Sequence, residues 1–290
     1  MLATQGDTAG AFRAFEAGIA LAESVESEPA LASQLVRYAV HINMMQALWL
    51  ALGTTDLAPE QAHHLYFRLR QIDLTPAFVH SLQYECAYGL LVINNINADP
   101  SKLAEAQTLS GERKGRGLGE RLWTGLYCSF LGKPLRKLDK LTYLRLFQRQ
   151  LAAAKLPYRE SKQEHESLRR EWEKLPAWDV ATRILFPIYS RISARRDAVE
   201  AQLGACQIGL ALNVYHQRFH RYPATLAELE RTVGWPLPKD PFSGKAYVYR
   251  REGKDLLLYS WGPDLRDDGG RSTNLPSRTQ KGDMVWRWQH

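Results

Sequence analysis

The chain has 290 residues, a formal net charge of +7 and an apolar fraction of 45%, enough for one large or two ordinary folded units, which excludes a disordered chain. No run of about 18 uncharged apolar residues occurs, which excludes a spanning helix. Cys86, Cys128 and Cys206 are far apart and odd in number, which excludes a disulfide framework or a zinc spacing; they read as core thiols.

In chain order, residues 8–27 place Ala11, Phe12, Phe15 and Ile19 at helical spacing. Over 30–52, Leu31, Leu35, Tyr38, Ile42, Met45, Trp49 and Leu52 recur every three or four residues, predicting a helix with one packed face and Gly53 as its C-cap. Pro59 suits the first turn of the next helix. Thr75-Pro76 opens another, with Thr75 as cap, running through Phe78, Leu82, Tyr84, Tyr88 and Leu91 to the Asn94–Pro100 stop.

Ser110–Gly119 holds four glycines but lacks the Gly-x4-Gly-Lys-Ser/Thr spacing of a phosphate loop, so a glycine-interrupted helix at a packing contact is expected. Residues 120–131 are apolar and aromatic, and 138–151 form a helix. Residues 158–174 are charged and poor in apolar groups; they are expected to run exposed, with Glu164-His165-Glu166 solvated. From Trp178 a long helical pattern follows through Ile184, Ile192, Val199, Leu203, Cys206 and Leu210, to be kinked or split at Pro187.

The pattern then changes to alternation. Residues 246–251, 255–261 (Leu257, Tyr259 and Trp261 on one side) and 284–288 read as three antiparallel strands, the first two joined at Gly253. The expected fold class is α+β. A helical domain (1–176) precedes a long helix and small sheet (177–290).

Asp264, Asp267 and Asp268 cluster beside Gly269-Gly270, and Asp283 returns at the last strand. Calcium takes six to eight oxygen ligands from a flexible loop, which this composition suits; the other reading is a turn whose Asp side chains accept backbone amides. Tyr222-Pro223 and Asp240–Gly244 read as a helix stop and a tight turn without chemistry. His63 and His64 point about 100° apart on a helix and do not share a metal. His41 and His80 stand alone, and His216 and His220 lie four apart without a metalloprotease glutamate. No hydrolase elbow, Cys/His protease signature or dinucleotide fingerprint is present.

The run Tyr215–Pro223, Thr225–Leu229, Asp240–Lys245, Leu258–Asp264, Asp267–Gly270 and Gly282–Trp286 resembles the globular part of the major pseudopilin of bacterial type II secretion systems, over about 195–288. The resemblance implies a helix feeding a small antiparallel sheet and a calcium loop, with Asp264, Asp267, Asp268 and Asp283 matching the family's acidic positions. This chain departs from the pattern: Arg271–Lys281 adds three basic residues to the loop. Arg183, Arg191, Arg195 and Arg196 also rule out an assembling membrane helix before the tail. Met1–Asp7 does not read as a signal peptide. The expectation is therefore a cytoplasmic protein or one that follows a removed anchor, and the tail favours the second.

The first two thirds resemble only the layout of uncharacterised bacterial envelope proteins. The expected function is a non-enzymatic, extracytoplasmic envelope protein. Its helical region would be a scaffold or partner-binding surface, and its calcium-stabilised tail would dock partners such as parts of a secretion machine. A second reading is a helical enzyme or small-molecule binder with a pocket within 30–130, lined by Trp49, Tyr84, Glu85, Tyr88 and Trp123. The third is binding of nucleic acid or anionic membrane through residues 113–174, where 16 Lys/Arg meet 7 Asp/Glu.

Overall fold

The computed structural model describes residues 8–103, 118–186, 190–252, 255–271 and 282–288. The fold is α+β. Its helices are α1 (Thr8–Ser24), α2 (Leu31–Leu52), α3 (Pro59–Arg70), α4 (Thr75–Ala98), α5 (Leu118–Cys128), α6 (Lys133–Ala154), α7 (Tyr158–Glu173), α8 (Val180–Leu185), α9 (Ser190–Phe219) and α10 (Leu226–Val233). A 3-10 turn, Phe130–Gly132, joins α5 to α6. Strands β1 (Val248–Glu252), β2 (Asp255–Ser260) and β3 (Met284–Trp288) form an antiparallel sheet in sequence order.

Helix starts follow the local chemistry, with two changes. Leu74 rather than Thr75 caps α4, and the Asp73 carboxylate accepts the Thr75 amide at 2.9 Å. Thr225 caps α10 by accepting from the Glu228 amide at 3.1 Å, and Gly234 ends it at φ 77°. The long helix from Trp178 is two pieces. Phe186 is extended, as the residue before a proline must be, and Pro187 itself lies outside the described residues. Helix α9 ends at Phe219, three residues before Tyr222-Pro223, through His220 at φ 51°.

Two apolar clusters fill the interior. The first joins α1, α2, α3, α9 and α10 to the sheet; the second joins α4, α6, α7 and α8 to the ends of α2 and α5. Residues from both sides of position 176 therefore share each cluster. Helix α9 is the hub, packed against α2, α3, α7, α10 and β2. Cross-strand rows Arg251–Leu256–Trp288 and Tyr249–Leu258–Trp286 lie on the helix side of the sheet. Leu257 and Tyr259 face the other way and are also buried. Trp261 falls just past the strand.

The sheet meets the helices closely because glycines allow it. Trp288 stacks on Trp49 with ring centroids 4.7 Å apart. Gly53 is the C-cap of α2, in right-handed geometry; a Cβ there would lie 2.7 Å from the Trp288 ring, so this residue is needed for approach. Gly204 likewise admits Tyr247, whose hydroxyl donates to the Ala201 carbonyl at 2.9 Å.

The expectation that 158–174 runs exposed is corrected: it is helix α7, with Ser161, His165 and Leu168 buried. Pro157 precedes a three- and four-residue spacing of Tyr158, Ser161, His165 and Leu168, which makes one packed stripe. His165 is 2% exposed and lies against Tyr158 rather than solvent. Of the three thiols, Cys206 is fully buried, while Cys86 and Cys128 are half-buried. The hairpin residue Gly253 and most of the glycine-rich stretch lie outside the described residues.

Candidate functional site

The acidic loop folds back over the outer face of the sheet. Gly270, at φ 80°, sits so close to Leu257 and Tyr259 that a side chain would press on both. Asp264 accepts from the amides of Arg266 (3.1 Å) and Gly282 (2.9 Å). Asp267 accepts from the Gly269 amide (2.9 Å) and the Tyr259 hydroxyl (3.0 Å). Asp283 is buried and accepts from the amides of Asp268 (3.1 Å) and Gly270 (2.7 Å). Burial pushes its carboxyl above the usual range, against the pull of those amides.

Three of the four expected calcium ligands are therefore amide acceptors. Among the described residues no three Asp, Glu, His or Cys side chains form a metal-holding group. These are the bonds of a turn whose Asp side chains accept backbone amides. Residues 272–281 of the same loop lie outside the described residues.

The Asp240 turn is more deeply built. Its buried carboxylate accepts from the amides of Phe242, Ser243 and Trp261 and from the Ser260 hydroxyl at 2.6 Å, tying the turn to the end of β2. These bonds are structural, as its sequence suggests.

A polar seam that apolar periodicity does not register runs between α2 and α9. Arg196 donates to Asp197 (2.7 Å) and to the carbonyls of Ala154 (2.7 Å) and Leu156 (2.8 Å). Asp197 in turn accepts the first amide of α7, that of Tyr158, at 2.6 Å. Across from it Arg37 reaches Glu26 at 3.3 Å. The Tyr38 hydroxyl and both nitrogens of His41 and His165 are buried, with no hydrogen bond among the described residues. Burial, then the nearby Arg37, pushes His41 down to about 4; burial, then Arg196, does the same to His165. Burial and the adjacent Asp197 raise Glu200 to about 7.

The residues expected to line a pocket within 30–130 do not come together. Trp49 is spent on Trp288, and Glu85 accepts the first amide of α2 (3.2 Å). Tyr84 and Tyr88 are exposed on α4, and Trp123 packs on Trp178. Of the other histidines, His63 packs on Phe67 and Trp235, His64 lies 3.3 Å from Glu16, and His216 stacks on Tyr222.

What the structure does assemble is an exposed apolar ridge along α5, the 3-10 corner and α6. Phe130 is 76%, Leu131 73% and Leu122 68% exposed, continued by Leu126, Leu138 and Leu141. Leu138 and Leu141 also line a cleft of about 570 Å³ with Trp178, Leu175 and Asp179. At its base Asp179 is held up at about 6 by burial and by Asp139. Asp139 is itself buried and holds the α8 start, accepting from the amides of Ala181 (2.7 Å) and Thr182 (3.0 Å) and from the Tyr127 hydroxyl (2.8 Å).

Part of the basic surplus of 113–174 is committed. Arg136 is buried against the Tyr127 and Ser129 carbonyls, Arg145 and Arg149 pair with Glu171 and Glu164, and Lys162 donates to the Asp264 carbonyl. Lys133 and Lys137 remain exposed beside the ridge.

No protein-family model, curated protein or solved structure matches this chain.

Proposed function

We propose that this is a non-enzymatic interaction protein of the cell envelope. Its helical body is a scaffold, its small sheet is a rigid pseudopilin-like tail, and its working surface is the α5–α6 ridge. The observation that carries this reading is the exposure of Phe130, Leu131 and Leu122 within ten residues of chain, on α5 and the corner that follows it. Soluble chains rarely leave such a patch uncovered unless it meets something. The engagement of the Asp264, Asp267 and Asp283 carboxylates by backbone amides also favours a structural over a catalytic role for the tail.

The test is a photo-crosslinking amino acid placed at Leu131 and, as a control, at exposed Glu60, in cells with an intact envelope. Adducts at Leu131 but not Glu60, lost in a Leu126→Glu variant that still folds, are expected. Equal labelling at both positions, or none at either, would sink the reading.

A further inference from the structure

Between residues 122 and 159 the sequence contains a single carboxylate, Asp139, and it is buried and fully engaged. This stretch of the ridge therefore adds no exposed carboxylate. Its corner presents two adjacent apolar side chains, Phe130 and Leu131, each more than seven-tenths exposed. Lys133 lies over the Phe130 ring at 4.5 Å, and Lys137 is exposed one turn further along α6, beside Leu138. Apolar side chains at an exposed corner with lysine stems alongside are what an interfacial segment needs. The apolar groups enter the acyl boundary, while the ammonium groups stay at headgroup level.

Resting on the interaction reading above, we infer that the partner of this ridge is an anionic lipid surface. Phe130 and Leu131 are the inserting residues, and Lys133 and Lys137 are the headgroup contacts. Charge complementarity selects the anionic lipid: Lys133 and Lys137 are exposed beside Phe130 and Leu131, while Arg145 and Arg149 further along α6 are already paired with α7. A bilayer also accepts protruding side chains without a shaped counterpart, whereas a protein partner has to supply a pocket for them. The other occupant, an acidic protein, is an outcome of the test.

The full chain is mixed with vesicles of phosphatidylglycerol and phosphatidylcholine, and with vesicles of phosphatidylcholine alone, and sedimented at two salt concentrations. Binding to the anionic vesicles, weakened by salt, is expected. Replacing Lys133 and Lys137 together by Ala should weaken it roughly 25-fold, at about fivefold per lysine. The Phe130→Glu/Leu131→Glu variant should not bind, while circular dichroism and the unfolding midpoint of both variants stay at wild-type values because the altered side chains are exposed. Binding that is equal on neutral vesicles, or unchanged in either variant, overturns the assignment. If anionic vesicles do not bind while Leu131 still crosslinks to a protein in cells, the lipid inference falls and the interaction reading stands. If both fail, both fall.

Discussion

The indole N–H of Trp288 donates to the Trp49 carbonyl at 3.0 Å, and the indole N–H of Trp49 donates to the Arg287 carbonyl at 3.2 Å. Each ring thus satisfies its polar atom on the other's strand or helix while the two faces stack. Sheet and helical body share one core through this pair. Trp288→Ala is expected to destabilise the whole protein by about 3–5 kcal/mol. Gly53→Ala, which drives a methyl into the same ring, should cost about 1–3 kcal/mol. Denaturant unfolding followed by circular dichroism and by tryptophan fluorescence should give coincident transitions. Two separated transitions would show that sheet and helices fold apart.

Asp197 joins a buried guanidinium to the start of α7. Asp197→Ala leaves Arg196 with only the more distant Glu200 carboxylate, at 3.8 Å, and removes the acceptor for the Tyr158 amide, so a loss of about 3–5 kcal/mol is expected. Arg196→Met with Asp197→Asn, which removes both charges, should cost less than Asp197→Ala alone. A double variant that is the less stable of the two would contradict this account.

The buried histidines set an acid limb. Their folded-state values, about 4, lie below the ordinary 6.5. The unfolded chain therefore binds more protons between those values, and stability falls as pH drops from about 6.5 to 4. Glu200 and Asp179, raised to about 7 and 6, act in the opposite direction over an overlapping range, so the histidine contribution is read by difference. His165→Phe should lessen the acid loss by on the order of 1–3 kcal/mol between pH 6.5 and 4. A pH-independent difference between wild type and variant would refute a buried neutral His165.

Asp283 is expected to act as an acceptor for loop amides. Asp283→Ala should cost about 1–3 kcal/mol by leaving the Asp268 and Gly270 amides unpaired, equally in chelator and in millimolar calcium. A calcium-dependent rise in the unfolding midpoint, abolished by Asp267→Ala/Asp268→Ala, would instead make this loop a cation site.

Apart from α7, the helix positions and the three strands were legible because they rest on periodicity and on proline and glycine signals. Faces were harder to read. On α2 the spacing of Leu35 and Ile42 points to a packed stripe, yet Gln34, Arg37 and His41 are buried and those two apolar residues are half-buried. A stripe that includes charged groups is invisible when only apolar residues are counted. The same holds for α7, where Ser161 and His165 complete the spacing between Tyr158 and Leu168. The acidic residues of the tail were visible in sequence, but their partners Tyr259 and Gly270 meet them only once the loop closes over β2. The exposure of Leu122, Phe130 and Leu131 was not legible, since composition does not say which apolar residues remain outside.

The Trp49–Trp288 contact joins positions 239 apart. At about 5–20 residues per second, roughly 10–50 s of synthesis separate the two indoles. During that interval the Trp49 face of α2 lacks its Trp288 partner. Final closure of the main core is therefore a late event, completed when β3 has emerged. A nascent chain halted before that point would be a natural client for chaperones.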